Sequence, residues 1–68
     1  MKYDEIWAIE TTSIESFFRS NPGEAEIVHL PDRKIGKMAL PQTRVIISGV
    51  DAEEVHRKFV LHFLSAGG

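Results

Sequence analysis

Three histidines, His29, His56 and His62, are the side chains best suited to acid–base or metal chemistry in this 68-residue chain. Their spacing argues against a shared site. His56 and His62 are six residues apart in a segment with helical periodicity, which turns them to different sides, whereas two histidines on one metal need an i, i+4 spacing. His29 falls in a segment with strand character. The sequence therefore predicts a core-edge imidazole at His62 and exposed rings at the other two. There is no cysteine, so neither a thiolate metal site nor a disulfide framework can form. No metal and no cofactor is expected.

The other chemical groups are equally unassembled. Asp4-Glu5 and Glu53-Glu54 are sequence neighbours, and adjacent residues on a strand or a helix point apart, so neither is a paired-carboxylate site. No serine lies in G-x-S-x-G or S-x-x-K. The glycines, Gly23, Gly36, Gly49, Gly67 and Gly68, form no phosphate-binding loop. A non-enzymatic protein is the expectation.

Charge gives the first pointer to a partner. The formal net charge is -2, but it is unevenly spread. Residues 1–26 carry Lys2 and Arg19 against Asp4, Glu5, Glu10, Glu15, Glu24 and Glu26, a net of -4. Residues 27–50 carry Arg33, Lys34, Lys37 and Arg44 against Asp32, a net of +3. Brought to one end or edge of a β-meander, those four cations could meet phosphates, which makes nucleic-acid binding one expectation. The competing reading is an edge strand guarded by lysines against aggregation. Asp51, Glu53 and Glu54 stand at the start of a helix where a double-stranded-RNA-binding domain carries lysines, which weighs against nucleic acid.

These residues need elements to hold them. Residues 3–10 have the aromatic and β-branched density of a strand. Thr12 and Glu15 form a T-x-x-E capping box ahead of Ile14, Phe17 and Phe18, one apolar helical stripe that Asn21-Pro22-Gly23 ends. Three strands are expected at Ala25–Leu30, Ile35–Leu40 and Thr43–Ser48, with turns at Pro31–Lys34 and around Pro41-Gln42. Asp51 caps a helix over about residues 52–65, with Ala52, Val55, Phe59, His62, Phe63 and Ala66 on its core face. The fold class is thus α+β: a small antiparallel β-meander of three to four strands packed against two helices, in the order β-α-β-β-β-α. An alternative, α-β-β-β-α, makes residues 2–20 one helix, but Thr11-Thr12-Ser13 favours a helix start over a helix interior.

Length suits a single domain over residues 1–68. The chain begins with two acids shortly after Met1 and has no long apolar run, so a signal peptide, a membrane span and a membrane partner are not expected, and the cytoplasm is. Tyr3 and Trp7 could stack on a base but are expected in the core.

Three residues of the last helix, Val60, Leu61 and Leu64, lie off its core face, making its end apolar over most of its circumference. The leading expectation for function follows: a small protein–protein interaction or regulatory module, homodimeric or a small subunit of a complex, that covers Val60, Leu61 and Leu64 with its partner. A third expectation rests on Gly67-Gly68, which resembles the terminal diglycine of ubiquitin-like sulfur carriers; a helix C-cap is the competing reading. Finally, Gly49-Val50-Asp51-Ala52-Glu53-Glu54 is similar in its Gly-then-acidic start to the last helix of the DinI-like proteins, a small bacterial family that modulates a recombinase and has β-α-β-β-α order. That resemblance covers six residues, and no family is assigned on it.

Overall fold

The computed structural model describes residues 2–66, with side chains for residues 2–64. The elements are β1 (Tyr3–Trp7), α1 (Thr11–Ser20), β2 (Ala25–Ile35), β3 (Met38–Ile47) and α2 (Ala52–Ala66). The three strands form one antiparallel sheet in the order β1-β3-β2. The expected class holds: a small α+β fold, with both helices against a short antiparallel sheet.

Register assigns each strand residue to a face. Tyr3, Glu5 and Trp7 of β1 align with Ile47, Val45 and Thr43 of β3, which align in turn with Ala25, Ile27 and His29 of β2. Because side chains alternate along a strand, this set faces the helices, and Thr43, Val45 and Ile47 are buried there. Ile14 and Phe17 of α1 and Ala52 and Phe59 of α2 complete the buried cluster. Phe59 is its centre, edge-on to Trp7 and Phe17 and stacked on Phe18, with ring centroids 5.1, 5.4 and 5.7 Å away. Aromatic rings prefer these offset and edge-to-face geometries over a face-to-face sandwich.

The segment from Ala25 to Ile47 differs from the meander in where it turns. Two long strands replace three short ones, and the single reversal lies at Gly36-Lys37, between the paired residues Ile35 and Met38. Gly36 has φ +61, a conformation other residues adopt only with strain. Pro31 and Pro41, read from sequence as turn signals, lie inside β2 and β3. Proline has no N–H to give a ladder. Here the register jumps from Leu30↔Gln42 to Arg33↔Leu40, so two residues, Pro31 and Asp32, oppose the one residue Pro41 in a bulge. Neither proline sits in a paired position. Gln42 Nε2 donates to the Pro31 carbonyl at 3.2 Å, satisfying an acceptor that the bulge strips of its ladder partner.

Helix α1 starts two residues earlier than the capping box implies. Glu10 occupies the cap position with no side-chain cap bond; its carbonyl accepts from the Ser13 and Ile14 amides at 3.1 and 3.3 Å. Thr12 is a helical residue, and the Thr11 hydroxyl is taken by the sheet. At the other end, both the amide and the side-chain Nδ2 of Asn21 donate to Phe17 O, at 2.9 and 3.1 Å, which stops the helix before Pro22. Gly49 has φ +97 and lets the chain leave β3 for α2, whose first turn is acidic with Glu53 and Glu54.

Candidate functional site

Four places on this frame collect polar or exposed apolar side chains. The first is a hydrogen-bonded row where α1 meets β2 and β3. Thr11 Oγ1 is 2.9 Å from His29 Nδ1 and 2.8 Å from Thr43 Oγ1, and Thr43 Oγ1 donates to Ile9 O at 2.7 Å. Proton accounting directs the row. A hydroxyl has one proton, and the Thr43 proton goes to the carbonyl, so Thr11 donates to Thr43 and must accept from His29. His29 therefore carries its proton on Nδ1 and leaves Nε2 outward. The resulting contact has a nucleophile–base distance but the opposite polarity: in this arrangement His29 gives a proton to Thr11 instead of taking one. An open cleft of about 370 Å³ adjoins the row, lined by Glu10, Thr12, Asp32 and Gln42 among others.

The second is a cluster on the helix-facing side of β1. Glu5 Oε1 is 2.8 Å from His56 Nε2 and accepts from Trp7 Nε1 at 3.2 Å, while the Tyr3 ring stacks on the His56 imidazole. The expectation of an exposed His56 is corrected by this contact: α2 crosses the β1 edge, and the ring is half-buried between the two elements. His62 is exposed, not set into the core face where the helical stripe placed it, although its ring lies 5.1 Å from that of Phe17. Among the described residues, no three metal-ligating side chains converge. His29 and His56 are held on separate elements by separate partners.

Third are the four cations, which the fold separates. Arg33, Lys34 and Lys37 lie at the exposed tip of the β2–β3 hairpin, with no carboxylate in ion-pair contact among the described residues. Arg44 is not with them. It stands on the central strand, on the sheet face away from the helices, and its Nε and Nη2 donate to Asp4 Oδ1 and Oδ2 at 2.8 and 2.5 Å. This two-pronged contact holds the Asp4 carboxyl below the ordinary carboxylate range and raises the Arg44 pKa. The expected grouping is corrected accordingly: strand β3 runs ten residues, which carries Arg44 away from the tip. The sequence spacing was legible, but the bulge and the single turn that set the length of the hairpin were not.

Last is the end of α2. Leu61 and Leu64 are 61% and 65% exposed and, three residues apart, share one helix face. Val60 differs from the expectation: it packs partly against the core, so the exposed patch is narrower than the sequence implied. Gly67-Gly68 lies outside the described residues. Among the described residues no helix is long and apolar enough to cross a membrane.

Sequence reasoning missed the Asp4–Arg44 and Glu5–His56 pairs, because both join residues 40 or more positions apart and only strand register brings them together. No protein-family model, curated protein or solved structure matches this chain.

Proposed function

We propose that this chain is a non-enzymatic, cytoplasmic protein–protein interaction module whose contact is the last two turns of α2. One observation carries the reading: Leu61 and Leu64 stand side by side, each more than half exposed, on a helix whose opposite face already fills the core through Ala52 and Phe59. Covering a large aliphatic side chain contributes about 1.5–3 kcal/mol, and a chain this short buries a small core and gains most from such a contact. The absence of cysteine supports a reducing compartment.

Sedimentation velocity of the wild type and of a Leu61→Glu/Leu64→Glu variant is the test. A wild-type assembly that the variant loses, with unchanged circular dichroism, is the expected result. An assembly indifferent to both substitutions overturns the reading.

A second reading, nucleic-acid binding, is favoured by the unpaired cations Arg33, Lys34 and Lys37 at the hairpin tip. It rests on three charges, since Arg44 is engaged by Asp4. Binding of mixed DNA and RNA at low ionic strength, falling steeply with added salt, is what this reading requires. No binding under those conditions overturns it.

A further inference from the structure

We infer that the free end of the β2–β3 hairpin, residues 31–39, enters the major groove of duplex DNA; this rests on the nucleic-acid reading and gives it a site and a substrate. Every residue from Pro31 to Ala39 is exposed. No helix covers either face of this stretch, and the hairpin ends as a two-stranded ribbon standing clear of the body. The molecule is correspondingly long, 41 Å against 24 and 18 Å in the other directions. A ribbon of two strands fits the major groove of B-form DNA, which is about 12 Å wide. The deep, narrow major groove of A-form RNA excludes it.

Charge selects a polyanion, and the placement of the charges selects a groove. The side chains of Arg33, Lys34 and Lys37 are without an ion pair among the described residues. Strand alternation turns Arg33 to one face of the ribbon and Lys34 to the other, while Lys37 stands in the turn at its end. A groove carries phosphates along both walls and meets all three, whereas a flat anionic surface meets one side. The ribbon's one carboxylate, Asp32, lies in the bulge at its base and lines the cleft beside α1. The acids Asp51, Glu53 and Glu54, which weigh against nucleic acid in the sequence, stand at the opposite end of the sheet, where Ser48 N donates to Glu24 O. The eleven residues of β2 set that end about 30 Å from the tip, several times the screening length of about 8 Å at physiological salt. Between the cations stand Ile35 and Met38, paired across the strands and 50% and 65% exposed. Lysines that only guard an edge need no such neighbours; in the major groove these two side chains meet thymine methyl groups. Single strands are bound by aromatic rings on which bases stack, and residues 25–47 contain no Phe, Tyr or Trp.

The test is fluorescence anisotropy with four labelled probes: an A·T-rich DNA duplex, the same duplex with uracil in place of thymine, one of its strands alone, and the matching RNA duplex. At low ionic strength the thymine duplex should be bound several-fold more tightly than each of the others. Its affinity should fall with salt at a logarithmic slope of about -2.7, the value for three phosphate contacts. Arg33→Gln, Lys34→Gln and Lys37→Gln should each reduce that slope by about 1. Ile35→Ser/Met38→Ser should leave the slope unchanged, weaken binding about tenfold and abolish the difference between thymine and uracil. Circular dichroism melts of the variants control for folding. A thymine duplex bound no better than its single strand, the RNA duplex or the uracil duplex overturns the groove inference while leaving nucleic-acid binding in place. Slopes unmoved by all three glutamine substitutions remove the hairpin as the site and overturn it as well. No binding of any probe overturns both the inference and the reading beneath it, and so does a preference for phosphatidylserine vesicles over the duplex, which assigns the tip to lipid.

Discussion

The ring of Tyr3 lies parallel to the imidazole of His56, with centroids 3.9 Å apart and planes inclined by 3°, and this stack fastens the edge strand β1 to α2. β1 pairs with one strand only and spans five residues, so its attachment depends heavily on side chains. Stacked aromatic pairs contribute about 0.5–1.5 kcal/mol beyond their buried area. A double-mutant cycle of Tyr3→Leu and His56→Leu, read by urea denaturation, should return a coupling in that range. Purely additive losses would show that the stack contributes packing alone.

Thr43 is fully buried and both of its polar contacts are intramolecular, so its hydroxyl cannot be removed without orphaning the Ile9 carbonyl and the Thr11 hydroxyl. Thr43→Val keeps the shape of the side chain and should destabilise by about 1–3 kcal/mol, the penalty of leaving a buried polar group unpaired. Thr43→Ser should lose less. The same row fixes the His29 tautomer: nitrogen shifts of the neutral ring should report the proton on Nδ1, and an Nε2–H tautomer would contradict the direction of the row.

Phe59 touches Trp7, Phe17, Phe18 and Phe63 and joins α1, α2 and β1 at one point. Phe59→Ala should cost about 3–5 kcal/mol, a large share of the 5–15 kcal/mol or so by which a domain is stable. Loss of a cooperative thermal transition is expected for this variant, while Phe59→Leu should retain one at lower temperature.

The Asp4–Arg44 pair gives a pH signature. The Asp4 carboxyl is held below its ordinary value of 3.8, chiefly by the hydrogen bonds from Arg44. A carboxyl depressed in the folded state contributes stability above its unfolded-state value, and that contribution fades as pH falls through the folded-state value. Wild type should therefore melt above Asp4→Asn at neutral pH, and the difference should close below about pH 4. Both side chains are well exposed, so salt should shrink the difference as well. A gap that persists in acid would remove the ion pair as its cause.

Local patterns carried much of the fold. The i, i+3 spacing of Ile14 and Phe17 and the Ala52–Phe59 stripe identified the buried faces of both helices, since helical periodicity is written in neighbouring residues. Pro31 and Pro41 misled, because a proline signals only the missing donor and fixed φ, and these requirements are met equally by a turn and by a bulge. Position along the hairpin was the larger loss. Arg33 and Arg44 look like one cluster in sequence, yet Arg33 pairs opposite Leu40 across the hairpin, which leaves Arg44 four residues, about 13 Å, further along β3. Only the single reversal at Gly36 decides the matter. The apolar face of the sheet was hidden for a related reason: Val28 and Leu30 alternate with Ile27 and His29, and an apolar run gives no indication of which side will be covered.

Pro31 also bears on how copies of this chain can meet. Strand β2 forms a free outer edge of the sheet, and a long, regular edge is a template onto which other strands add to build fibrils. At Pro31-Asp32 that edge has a missing donor and an extra residue, so the evenly spaced row of donors and acceptors is broken near its middle. Strand addition stops at such a break. Open-ended polymerisation along this edge is thereby suppressed.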